Sequence, residues 1–278
     1  MELQQSPLYQ AYIKALHWNV VVVEGSAIFY RRIPFLGTLA KLQRPEHLPY
    51  LPKLIMTLKK YGVTSISVEP KQDVPQEEFD DYVLSLKKFF KVISSPFIPT
   101  KTIMIDLTPS KQEIFSRFTS PKRRAVRRAE KNNIHITQSH DIRDLIAIKS
   151  KGAGMFGSIT THGIDRLWKL FYPKHATILL AQTDNKKVVA GTLLLFWNKT
   201  ALYWIAGATH EGKKLFAPTL LVWHALQTGK KHNCTAFDFI GVWDERKPHQ
   251  FSEWKGFTKF KEGFGGTPLY YPISMLHK

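Results

Sequence analysis

The chain has 278 residues, 44% hydrophobic and 13% aromatic, enough to bury a sizeable core and to exclude a largely disordered protein. Forty Lys and Arg oppose 22 Asp and Glu, a formal net charge of +18 that favours a polyanionic partner, either nucleic acid or an anionic membrane face. One cysteine, Cys234, excludes an intrachain disulfide, and the longest apolar run, Val188–Trp197, is strand-sized rather than bilayer-spanning. The opening "MELQQSPLYQ" lacks a signal peptide's basic start and apolar stretch, so a cytoplasmic chain is expected.

In chain order, "WNVVVVEGSAIFYRRIP" reads as two strands hinged at Gly25-Ser26. "EHLPYLPKLIMTLKKYG" reads as a helix with Leu51, Leu54, Ile55 and Leu58 on one face and Gly62 as its stop. "VTSISVEP" is a strand ended by Pro70. "EEFDDYVLSLKKFFKVI" is a helix with acids in its first turn and lysines in its last, matching the helix dipole. After "SSPFIPTK" the pattern restarts: strand "TIMIDL", a capped helix "TPSKQEIFSRF", the very basic helix "SPKRRAVRRAEKNN" and the strand "IHIT". Helices "DIRDLIAIKSK" and "GIDRLWKLFY" lead into three successive strands, "ATILLAQ", "VVAGTLLLFW" and "ALYWIAGA". "APTLLVWHALQTGKK" is a helix with Pro218 in its first turn. Strand "TAFDFIG", a loop, a short helix, the segment "FTKFKEGFGG" and the strand "PLYYPI" close the chain. The class is mixed α/β, with a boundary near Pro96–Lys101.

Three local signals carry chemistry. On the basic helix, Arg124, Arg127, Arg128 and Lys131 share a face with Lys122 and Arg123 nearby, a set suited equally to solvation and to phosphate contact. In "AFDFIGV", Asp238 stands in a buried-looking strand, where a carboxylate needs a partner or a site. Lys261 sits among Phe257, Phe260 and Phe264, rings that would desolvate its ammonium and strengthen its pull on a developing oxyanion. "GAGMFG", at Gly152–Gly157, satisfies GxGxxG but lacks the strand before and helix after that a dinucleotide site needs. No metal-binding spacing, phosphate loop or nucleophile elbow is present.

Several of these stretches resemble the Fem family of aminoacyl-tRNA-dependent peptidyltransferases. The similar segments are "SPLYQAYIKALHW", "TIMIDLTPSKQEIFSRFTSPKRRAVRRAEKNNIHI" and "LYWIAGATHEGKKLFAPTLLVWHAL…FDFIGV…FTKFKEGFGG". The resemblance implies two acyl-CoA N-acyltransferase-like (GNAT-like) domains, 1–100 and 101–266, the first completed by a C-terminal strand within 267–278. It implies mixed sheets flanked by helices, with no coiled-coil arm. It also implies transfer of an amino acid from aminoacyl-tRNA to a peptidoglycan precursor, nucleotide- or lipid-linked, without a cofactor. A monomer, cytoplasmic or peripheral at the inner face of the plasma membrane, goes with that reading.

By the same resemblance, Phe260 and Lys261 match a catalytic Phe-Lys pair. Lys14, Glu69, Tyr203, Trp204 and Asp238 fall at acceptor-binding positions, with Glu69 holding or deprotonating the incoming ammonium. Arg123, Arg124, Arg127, Arg128 and Lys131 would meet tRNA phosphates. The chain departs from the family pattern at Ile205, Gly163 and Leu167, where tyrosine or arginine is common, and its first half is short. The alternatives are an acyl-CoA-dependent GNAT enzyme, whose diphosphate would need the "GATHEGKKLFAP" turn, and a non-catalytic RNA- or membrane-binding protein.

Overall fold

The computed structural model describes residues 1–153 and 162–274; most of the chance "GAGMFG" match lies outside them. The chain divides into two compact units, Met1–Lys101 with Leu269–Lys278, and Thr102–Pro268.

The first unit opens with helix α1 (Pro7–Ala15), whose cap Ser6 accepts a hydrogen bond from Tyr9 N. Strands β1 (Asn19–Val23) and β2 (Ser26–Ile33) form the expected hairpin, its two-residue turn made by Glu24 and Gly25, both at positive φ. A third antiparallel strand, β3 (Gly37–Gln43), was not anticipated. Its "GTLAKLQ" pattern is short, and pairing on both edges rather than alternation holds it in the sheet. Helix α2 (Leu51–Lys60), strand β4 (Val63–Glu69) and helix α3 (Gln76–Lys87) follow, and β5 (Lys91–Val92) pairs parallel to β4. The helix expected through Ile93 therefore ends early, because Lys91 and Val92 gain sheet partners.

The order β1-β2-β3-β4-β5 is antiparallel at one edge and parallel at the other. Leu54 and Leu58 of α2 and Phe79, Val83 and Leu86 of α3 pack on Ile28, Ala40, Leu42 and Ile66. Successive strand residues face opposite sides, so Phe29 meets Tyr9 of α1 instead.

The second unit starts one residue into β6 (Lys101–Asp106), then α4 (Lys111–Ser116) and α5 (Ser120–Lys131). Ser110 and Glu113 form a capping box at the start of α4. Strand β7 (His135–Ser139), α6 (Ile142–Ala153) and α7 (Ile164–Phe171) precede a meander of β8 (Ala176–Gln182), β9 (Val188–Trp197) and β10 (Thr200–Ala208). The chain ends with α8 (His210–Lys214), α9 (Ala217–Lys231), β11 (Ala236–Asp238), α10 (Lys255–Glu262) and β12 (Thr267–Tyr270).

The sheet order is β12-β6-β11-β10-β9-β8-β7, with β10 and β11 parallel in an otherwise antiparallel run among the described pairings. Helices α5 and α9 cover one face, with Val126, Ala129, Leu220, Leu221 and Leu226 in the core. Helix α6 covers the other, Leu145 meeting Gly191 of β9. Strand β12 pairs with β6, where Gly266 brings the chain against Ile103 and Met104. The residues from Leu269 onward group with the first unit, where Gln76 Nε2 donates to Ile273 O at 2.8 Å.

Candidate active site around Lys261

Strand β11 stops early for a specific reason. Ile240 adopts φ +67°, a left-handed conformation that strains a β-branched residue. Asp238 holds the bend: its Oδ1 accepts from Ile240 N at 2.6 Å and from Thr102 Oγ1 at 2.5 Å. The kink turns the carbonyls of Phe239 and Gly241 toward one point. Lys261 Nζ sits there, donating to Phe239 O at 2.8 Å and Gly241 O at 2.6 Å. Helix α10 delivers the lysine, while Thr258 anchors the helix by accepting from Trp243 N at 2.8 Å.

Burial pushes the Lys261 ammonium down to about 8; Asp238 pulls it back up, and Lys149 depresses it further. The desolvating rings are Phe257, 4.8 Å from Nζ, and Phe239, at 5.7 Å. Phe260 and Phe264, expected around Lys261, pack against each other and take up Lys122 instead, at 3.7 Å and 5.1 Å. Successive helical residues point about 100° apart, so Phe260 cannot share Lys261's direction. The Lys122 ammonium is lowered to about 8 by burial alone.

Sequence reading missed Lys149. It donates to Ala206 O at 3.2 Å, and burial lowers its pKa. Gly207 admits it: a Cβ there would stand 3.1 Å from Lys149 Cα. The available signal was a lysine directly after Leu145 and Ile148 on an inward helix face.

The proposed acceptor residues fare differently. Tyr203 is only 7% exposed and packs on Phe237 and Phe239; burial raises its hydroxyl's pKa, and Thr192 hydrogen-bonds it. It is a core residue, because β10 turns this side toward α9. Trp204 stands at a bulge in β10 and is half-buried. Asp238 positions the bend that aims the 239 and 241 carbonyls.

In the first unit, Lys14 is exposed in the last turn of α1. Glu69 is buried, and burial raises its pKa. Its Oε2 accepts from Gln43 Nε2 at 2.8 Å, and its Oε1 accepts from Ile98 N at 3.0 Å and from Phe97 N. Those bonds make it an anchor for the 97–98 loop.

On α5, Arg124, Arg127, Arg128 and Lys131 are exposed, and Arg128 lies 5.7 Å from the Phe216 ring. Arg123 leaves that set: it donates to Ser116 O at 3.0 Å, to Phe118 O and to Ser120 Oγ at 3.1 Å, closing the end of α4. The turn an acyl-CoA diphosphate would use is poorly supplied with donors. Thr209 Oγ1 accepts from Gly212 N, Thr219 N donates to Phe216 O, and Pro218 has no N–H. Among the described residues no group of three or more His, Cys, Asp or Glu is placed to hold a metal, and no helix is long and apolar enough to cross a membrane.

Residues 173–270 match the model of the FemAB family. No curated protein matches the sequence. Among solved structures, FemX shares 15% identity over 97% of this chain and 90% of its own, with a TM-score of 0.72. L-PGS from Bacillus licheniformis is 12% identical over 98% and 91%, with a TM-score of 0.57. A tandem GNAT protein from the clavulanic acid biosynthesis pathway is 12% identical over 91% and 80%, with a TM-score of 0.56. At these identities the structural likeness establishes the fold, and the family-model match is confined to residues 173–270. The matched stretch, about a third of the chain, contains β8 to β12 and the Lys261 site and is similar to the FemAB family, while the structural likeness gives the whole chain a GNAT-like fold.

Proposed function

We propose that the protein transfers an amino acid from aminoacyl-tRNA to the stem-peptide amine of a peptidoglycan precursor, on the cytoplasmic side of the membrane. The observation that carries this reading is the Lys261 ammonium, desolvated and aimed by two backbone carbonyls, within a stretch of FemAB-family sequence. Two of its three N–H groups are engaged, leaving one for a substrate oxygen.

The reaction is aminolysis of an ester. The amine nitrogen attacks the ester carbonyl, and negative charge develops on its oxygen, which Lys261 stabilises. The ester C–O bond then breaks, the 3′-hydroxyl leaves with a proton, and an amide remains. The ester is already activated, so orientation and charge stabilisation suffice without a covalent enzyme intermediate. The incoming ammonium must lose a proton before it attacks, and Glu69 would hold it or take that proton. The outward face of α5 takes tRNA phosphates, which position the donor without reading its sequence.

The test is incubation with mixed charged tRNAs and with nucleotide- or lipid-linked precursors, read by mass spectrometry. A precursor heavier by one amino-acid residue is expected; transfer only from acyl-CoA would end the proposal. Arg127→Ala with Arg128→Ala should flatten the salt dependence of tRNA binding by about one unit of slope per lost contact. An unchanged slope would make the helix ordinary surface.

A peripheral membrane position is part of the same proposal. The β2–β3 turn exposes Phe35 and Leu36 beside Arg31 and Arg32, an apolar tip on a cationic base suited to anionic lipid headgroups. The chain should pellet with phosphatidylglycerol vesicles, and Phe35→Ser with Leu36→Ser should release it. Wild-type protein left in the supernatant would place catalysis away from the bilayer.

A further inference from the structure

From the loop after the kinked strand into the first turn of α10, three aromatic residues form a row. The Phe251 and Trp254 rings stack with centroids 4.6 Å apart and planes 28° apart, and Trp254 and Phe257 follow at 5.2 Å. Phe257 in turn lies 4.8 Å from the Lys261 ammonium. The spacing 251, 254, 257 puts the rings on one side of a helical path. Phe251 and Phe257 are 39% and 37% exposed, which leaves aromatic area facing water at the edge of the site.

Two features show that the row is held in place. Phe251 adopts φ +53°, an uncommon conformation for a residue with a side chain, and its carbonyl accepts from Trp254 N at 2.8 Å. Lys255, next in sequence, is fixed over the Trp243 ring at 4.5 Å. Charge also selects the occupant. Lys255 and Lys259, both exposed, lie between and beside the rings, and Glu253 is the one acid from Phe251 to Lys261, while Asp244 is ion-paired with Arg246 at 2.7 Å. Cations interleaved with exposed rings are what unpaired nucleotides require: phosphates take the cations, and every base offers a flat face.

We infer that Phe251, Trp254 and Phe257 are a stacking platform for the unpaired bases at the 3′ end of the donor RNA, with Lys255 and Lys259 on its phosphates. This rests on the aminoacyl-tRNA reading above and adds the contact that guides the terminal nucleotide to Lys261. Stacking is indifferent to base identity, so the platform accepts any RNA with a free single-stranded end.

The experiment uses the full chain and two RNA hairpins, one with a four-nucleotide unpaired 3′ tail and one blunt. Binding is followed by tryptophan fluorescence or by a labelled RNA. The tailed hairpin should bind more tightly. Phe251→Leu with Phe257→Leu keeps apolar bulk but removes two ring faces, and should weaken tailed binding by about 5–100-fold. Blunt binding and the salt slope should stay unchanged, and a far-UV spectrum matching wild type shows that the variant folds. Arg127→Ala with Arg128→Ala should instead lower the salt slope for both hairpins. Equal binding of the two hairpins, or tailed binding unaffected by the leucines, overturns the platform and leaves tRNA dependence standing. Binding of neither hairpin overturns both. Loss of muropeptide binding in the leucine variant, with RNA binding intact, makes the row a sugar platform and also overturns the inference.

Discussion

Replacing Lys261 with alanine is expected to cut turnover by roughly 100–1000-fold, the cost of losing one oxyanion donor in a desolvated site. The loss should fall on kcat and kcat/KM alike, because the ammonium meets full negative charge only in the transition state. The active form is the protonated one, and burial lowers its pKa to about 8. The rate should therefore fall as pH rises through about 8. Deprotonation of the acceptor amine pulls the other way, raising the rate with pH, so a decline on the alkaline side is attributable to Lys261. A kcat/KM profile that keeps climbing to pH 10, or an alanine variant with wild-type turnover, would remove the lysine from the mechanism.

Gly265→Ala is expected to destabilise the fold by about 3 kcal/mol or more, measured as a lower denaturant midpoint. Gly265 sits at φ +74°, and a Cβ there would lie 2.3 Å from the backbone oxygen of Arg117. That oxygen is on main chain between α4 and α5 and cannot rotate away. Thr119 N donates to Gly263 O at 2.9 Å across the same contact, so the turn after Glu262 is docked through its backbone. Gly256 is the control. It lies in α10 with open space around its missing Cβ, and Gly256→Ala should stabilise by about 0.5–1 kcal/mol. A Gly265→Ala midpoint within error of wild type would show that the α4–α5 junction yields.

The glycines of "FTKFKEGFGG" are thus explained by packing, and the lysine by its surroundings. Sequence pattern found Lys261 and the exposed cations of α5 because both are local: a helix face repeats every three to four residues. It placed Phe257 beside Lys261, as both share a helix, but not Phe239, which comes from the bend after β11, 22 residues earlier. Glu69 and Tyr203 drew attention as polar groups near recognisable motifs. Their burial, and the Gln43, Ile98 and Thr192 partners that satisfy them, come from elements distant in sequence. Lys149 escaped notice for the complementary reason: nothing beside it in the chain announces that Gly207 leaves it room.

By itself the sequence determined the alternation of strands and helices, the cationic face of α5 and the presence of a lysine among aromatic residues near the end of the chain. These depend on periodicity, charge and caps, which neighbours within a few residues supply. Only the tertiary structure decided that β12 pairs with β6 and that Ile240 bends the chain to aim two carbonyls at Lys261. It also decided that Phe260 serves Lys122. Each of those outcomes depends on which backbone can approach which, and close approach is settled by the packed core as a whole rather than by any local stretch.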